Sequence, residues 1–227
     1  MIFGDISRKF CLDSPFKFTL FQELAWIFSP NHSINMKTTL FALLMLTLVA
    51  CNQVVINQRP YIEKSRTANI SDLEEVIISD ATTAQIAMGG FSMTITGDST
   101  DLADLQLTTI NNKFSYHFSK QEKQRFGLKF KIQMPILKSV IVAGASKVML
   151  AQFNNQQITA NVSGASDLDA FGISSKKAII DVSGASTAKI SVTDNLEAIV
   201  SGASQLIYRG SPALKANVSI ESTIRKD

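Results

Sequence analysis

Two pairs of carboxylates stand close enough in sequence to suggest chemistry: Asp101 with Asp104, and Asp167 with Asp169 in SDLDAFG. Paired carboxyl groups can divide acid and base roles in glycan hydrolysis, or hold calcium. Neither pair lies in the glycine-aspartate nonapeptide pattern of calcium-binding β-rolls, so both are expected to be solvated turn charges. His117 stands between Tyr116 and Phe118 in an alternating run, out of phase with the apolar side, where a histidine is expected to face solvent. A Ser/His/Asp arrangement remains formally open because serines abound, but the chain has no G-x-S-x-G elbow. Lys147 follows Gly-Ala-Ser without the spacing of a phosphate loop.

The serines are organised differently. VSGAS occupies 162–166, 182–186 and 200–204, with a near copy, VAGAS, at 142–146. Gly144, Gly164, Gly184 and Gly202 are spaced by 20, 20 and 18 residues, a period typical of stacked solenoid coils. Aligned on the glycine, Val142, Val162, Val182 and Val200 stand two before it, and Ala145, Ala165, Ala185 and Ala203 one after. Val148, Leu168, Ala188 and Leu206 stand four after it, and Leu150, Ala170, Ile190 and Tyr208 six after. Each position is a candidate apolar column. Ile158-Ala160-Val162, Ala178-Ile180-Val182 and Leu196-Ala198-Val200, written by alternate residues, enter each corner in register.

A strand, a glycine bend and a second strand therefore repeat once per coil. The expected fold is all-β, a β-helix-like solenoid of stacked, right-handed coils with about 20 residues per coil in the C-terminal half. Coils about 4.8 Å apart require each corner to accept its own copy above and below. Glycine supplies positive φ, and alanine is expected to fill a corner too tight for valine or leucine. Ser163, Ser183 and Ser201 on one side, and Ser146, Ser166, Ser186 and Ser204 on the other, can bond backbone or one another. Repetition at stacking distance favours a structural ladder over a sugar-binding face.

The N-terminal part is foreign to this pattern. Residues 1–35 hold six of the fourteen Phe and the only Trp, Trp26, without helical or strand period. From Met36 the chain reads MKTTLFALLMLTLVAC: a positive start at Lys37, an apolar run from Leu40 to Ala50, and a small-residue site ending at Cys51. That is the layout of a secretory signal, and it resembles a bacterial lipoprotein signal whose lipobox cysteine is lipidated. The 11-residue run is short for a membrane span, which needs about 20. Residues 1–35 are accordingly read as an upstream extension, 36–50 as signal, Cys51 as the lipidation site, 51–72 as a tether, 73–221 as the solenoid domain and 222–227 as a tail.

The leader contains four Lys/Arg and three Asp/Glu, so the 177 residues from Cys51 keep 18 basic and 16 acidic side chains, a net of +2. No field for nucleic acid follows. Cys11 lies in the leader, which leaves the mature chain without a disulfide, and His117 is its one histidine, too few for a His-based metal cluster. The Asn-x-Ser sites at Asn69, Asn161 and Asn217 carry no glycosylation meaning behind a bacterial lipobox. Upstream of the repeats, alternation puts Phe91, Met93 and Ile95 on one face, Phe114, Tyr116 and Phe118 on another, and Leu128, Phe130, Ile132 and Met134 on a third. Gly89-Gly90, Thr96-Gly97-Asp98 and Asn111-Asn112 read as turns between them.

The segment IQMPILKSVIVAGASKV, the repeated VSGAS and the closing GSPAL resemble the bacterial "putative auto-transporter adhesin, head GIN domain" family over about residues 73–214. The resemblance implies a β-helix-like envelope domain without established catalytic residues or cofactor, for which adhesion is inferred from architecture. A clear Gly-Ile-Asn element is missing from the C-terminal part. The expected function is a non-enzymatic outer-membrane lipoprotein, periplasmic or surface-facing and held by the lipid on Cys51, that acts as an adhesin-like binding or structural module with a β-helix face for a glycan or protein ligand. The alternative is a polysaccharide-degrading hydrolase or lyase. Such sites cluster Asp, Lys and Arg on one coil face, whereas the repeats here offer Ser, Ala and Gly.

Overall fold

A computed structural model describes residues 60–121 and 124–227. The extension, the signal and Cys51 lie outside the described residues. Alternating apolar residues and glycine corners shape the described residues into fourteen strands and one short helix. Each coil runs along one wall, turns at a bend, and returns along a second wall to the next corner.

The repeats form the long strands β9 (Lys147–Val162), β10 (Asp167–Val182) and β11 (Thr187–Val200), which pair in parallel with one another. Each passes round the bend and so contributes to both walls. In the first wall they continue β3 (Thr83–Met88) and are followed by β12 (Gln205–Arg209) and β14 (Thr223–Lys226). In the second wall they continue β2 (Glu75–Ile78) and β8 (Ser139–Val142) and are followed by β13 (Ala213–Val218). The register is the one the repeats dictate: Val142, Val162, Val182 and Val200 stack in a column, fully buried. Val148, Leu168, Ala188 and Leu206 form a second buried column. Burying each branched side chain contributes about 1.5–3 kcal/mol.

Between β3 and β8 the chain leaves the coil and builds a wider end. β4 (Ser92–Asp98) pairs antiparallel with β7 (Lys129–Met134) and with β1 (Glu63–Ala68), while β5 (Leu105–Ile110) pairs antiparallel with β6 (Lys113–Phe118). Aromatic residues fill the greater width, with the Phe114 and Phe130 rings 5.8 Å apart edge to face and Tyr116 5.0 Å from Phe130. Leu128, Phe130, Ile132 and Met134 are all buried, as their alternation requires. At the opposite end all six residues of β13 are exposed, because no further coil covers them among the described residues.

Several expectations need correction. Residues 63–68, assigned to the tether, are a strand paired with β4, and 223–226, assigned to the tail, continue the first wall as β14. Phe91 precedes its strand and is 39% exposed, so only Met93 and Ile95 of its trio are buried. Thr96-Gly97-Asp98 is the end of β4 rather than a turn. There Asp98 accepts the amide of Thr100 at 3.0 Å and caps a one-turn helix, α1 (Ser99–Asp104).

Candidate functional site

The corners show what the five repeated letters do. Gly144, Gly164, Gly184 and Gly202 have φ of 78°, 81°, 79° and 72°, the left-handed region that disfavours side chains. A Cβ on Gly202 would lie 2.6 Å from the carbonyl oxygen of Gly184, and one on Gly184 would press equally on Gly164. Each corner hangs on the one before it: the Ala185 amide donates to Gly164 O at 2.7 Å, and the Ala203 amide to Gly184 O at 2.8 Å.

The serine two residues after each glycine points inward, and the alanine between them is exposed. That reverses the expected roles of alanine as filler and serine as flank. The Ser186 hydroxyl accepts the Ser166 amide at 3.3 Å and donates to Gly164 O at 3.2 Å, so one side chain clasps two backbone groups of the previous coil. Ser204 repeats this toward Ser186 and Gly184, and Ser166 accepts the Ser146 amide. Buried and turned toward the backbone of the neighbouring coil, Ser166, Ser186 and Ser204 face away from the surface a ligand would meet.

Two corners were not legible as repeats. Ile78-Ser-Asp-Ala-Thr82 forms the first, with Asp80 and Ala81 at φ 59° and 57° in place of glycine. Val218-Ser-Ile-Glu-Ser222 forms the last, where the Ser222 hydroxyl donates to Gly202 O at 2.8 Å. The Tyr116 hydroxyl locks the first corner to the wide end: it donates to the Ser79 carbonyl, accepts the Ser79 amide at 3.0 Å and lies 2.8 Å from Thr82 Oγ1. Burial pushes its pKa up, against hydrogen bonds to Thr82 and Ser79 that lower it.

The carboxylates are placed differently from one another. Asp101 and Asp104 are buried, not solvated. Their spacing on α1 turns both toward Arg125, whose guanidinium meets Asp101 at 3.1 Å and Asp104 at 3.3 Å. The Phe126 amide donates to the other Asp101 oxygen at 3.0 Å, and Phe118 lies under the guanidinium at 4.0 Å. The pair is a staple for the loop before β7. Asp169 accepts the Phe171 amide at 3.1 Å, while Asp167 pairs with Lys147 at 3.5 Å across the outer first wall. His117 is exposed, as expected.

The concavity that sequence reasoning missed lies at the bend, away from the corners. A cleft of about 600 Å³ opens between the loop from Pro135 to Ser139 and the bend of β9 from Phe153 to Gln157. Gln152, at φ 67°, starts that bend, and the β9–β10 register shifts beside it. The Asn155 amide donates to Leu137 O at 3.0 Å and ties the bend of β9 to the loop of the coil before it. Asn154, Gln156 and Gln157 are exposed beside Thr159, with Met88 and Ile136, each half exposed, as the apolar part. The run Asn154-Asn-Gln-Gln157 was the available signal: no other bend carries four amides in succession.

Residues 151–212 match the family model described as "Putative auto-transporter adhesin, head GIN domain". No curated protein matches the chain in sequence. Among solved structures, a "putative adhesin" from Bacteroides fragilis aligns with a TM-score of 0.50 at 14% identity, over 73% of this chain and 97% of that one. A "putative adhesin" from Parabacteroides distasonis gives 0.41 at 15% identity over 74% and 98%. A "putative lipid binding protein" from the same species gives 0.38 at 13% over 73% and 96%. The first of these shares the solenoid fold.

Proposed function

We propose that this chain, whose coils at 151–212 carry the head GIN domain, is a non-enzymatic lipoprotein of the bacterial cell envelope that acts as an adhesin-like binding module. A lipid on Cys51 holds it to the outer membrane, and the solenoid presents a ligand-binding surface. The observation that carries the reading is where the polar groups go. Corner serines clasp backbone, Asp101 and Asp104 are engaged by Arg125 and the Phe126 amide, and the cleft is lined mainly by amides, hydroxyls and apolar side chains, its one acid, Glu75, and one base, Lys138, each held in an ion pair. That lining suits recognition more than bond cleavage.

The polysaccharide-degrading alternative makes a different prediction. Incubated with a panel of acidic and neutral polysaccharides, the protein is expected to yield neither new reducing ends nor unsaturated products. Sustained turnover overturns the binding-module reading. Mass analysis of the envelope-extracted chain addresses the anchor: a lipidated Cys51 as first residue is expected, and a peptide beginning at Met1 contradicts it.

A further inference from the structure

We propose that the cleft between Pro135–Ser139 and the β9 bend is a binding site for an uncharged, hydroxyl-rich oligosaccharide. The proposal rests on the binding-module reading and adds to it a place and a ligand chemistry. Three observations carry it.

The first is the donor and acceptor set. Asn154, Gln156 and Gln157 each offer an amide carbonyl and an NH2, and Thr159 and Ser139 offer hydroxyls, all at the same opening. A side-chain amide can accept from one hydroxyl of a vicinal diol and donate to its neighbour. A peptide ligand of β-augmenting kind would need a straight unpaired strand edge, whereas β9 is paired with β3 over 147–151 and with β8 over 159–162 on one side and with β10 on the other, and the short open stretch between β3 and β8 is bent at Gln152.

The second is the absence of a net field. The cleft contains one acid, Glu75, and one base, Lys138, and each is neutralised by a partner outside the lining: Glu75 by Lys113 at 2.9 Å, and Lys138 by Glu74 at 2.7 Å. A charged ligand would have to displace one of these pairs. A neutral polyol need not. Met88 and Ile136, both 50% exposed at the same opening, give the C–H face of a sugar ring an apolar surface.

The third is local geometry that departs from the repeat. Gln152 holds φ 67° without being glycine, and the pairing of β9 with β10 shifts on both sides of Gly172. Backbone in sparsely populated regions collects at ligand sites. Here it carries the amide run out of the smooth wall, and the Asn155 bond to Leu137 O fixes the run against the opposite loop.

The test uses the whole mature chain, extracted in detergent, with neutral tri- and tetrasaccharides of hexoses and N-acetylhexosamines and a matched set of uronate-containing and sialylated glycans. Saturable binding to at least one neutral member is expected, with a Kd about five- to tenfold weaker in Asn154→Ala and in Gln156→Ala. Both side chains are exposed, so the variants should melt with wild type, and Gln205→Ala on the outer first wall should bind as wild type does. Preference for the charged glycans, no saturable binding to any neutral member, or binding undiminished in both amide variants overturns the proposal. Binding to a protein-coated surface that the amide variants leave intact retains the binding module but overturns the saccharide cleft. Loss of binding to every surface tested overturns both.

Discussion

Replacing Gly184 by valine tests the corner at its tightest point. The residue sits at φ 79°, where a β-branched side chain costs about 1–2 kcal/mol. Its Cβ would stand 3.0 Å from the Gly164 amide nitrogen and closer still to the Gly164 carbonyl oxygen, both backbone atoms that no rotamer change can move aside. Relief requires the coils to separate, which stretches the bonds to Gly164 O from the Ala185 amide at 2.7 Å and the Ser186 hydroxyl at 3.2 Å. Each neutral bond contributes about 1 kcal/mol, so the loss should total about 3–4 kcal/mol. In a domain of this size, each kcal/mol shifts Tm by about 2–4 °C. A drop of about 6–16 °C is therefore expected in a thermal melt followed by far-UV circular dichroism. Gly90→Ala is the control, because Gly90 has open space around it and ordinary φ. If Gly184→Val melts within about 2 °C of wild type, the stacked-corner account of VSGAS is wrong.

Three further outcomes follow from the same contacts. Ser186→Ala should destabilise by about 1–3 kcal/mol in chemical denaturation, since the Ser166 amide is left unpaired in a buried corner; a change under about 0.5 kcal/mol would refute the clasp. Arg125→Gln should leave Asp101 and Asp104 with a weaker partner and open the loop before β7, read as faster trypsin cleavage after Lys120; unchanged cleavage would contradict the staple. Tyr116 has a raised folded pKa, so its contribution is complete below the ordinary phenol value near 10 and fades as pH rises through the folded value. Tyr116→Phe should lose stability at neutral pH and show a shallower alkaline decline than wild type, and an equal decline would remove Tyr116 as the cause.

The repeats made the C-terminal solenoid legible because each coil restates the same inward residues at the same spacing. What they did not show was which corner residue faces in. Alternation from Val182 through Ser186 to Ala188 carries that information, since all three have the same parity, and the structure buries all three. Apolar character pointed to Ala185 instead, but its methyl lies outside, while the hydroxyl of Ser186 has two backbone partners inside. Parity was the better guide than residue type. The first corner was hidden because Asp80 and Ala81 take positive φ without a glycine to announce it. The Arg125 staple was hidden for another reason: its charges are 21 and 24 residues apart, and no local pattern joins α1 to the later loop. The cleft belongs to the same class, since its two sides come from different coils and only the amide run marked one of them.

Surface labelling of intact cells puts the envelope-module claim to its most direct test. A membrane-impermeant amine reagent should modify Lys129, Lys138 and Lys147, whose side chains are 70%, 61% and 63% exposed on the solenoid. Peptide mapping should find these lysines labelled before lysis, at a level that lysis does not greatly increase. If they remain unlabelled until the cells are broken, the solenoid does not face outward, and an adhesin-like role at the cell surface is contradicted.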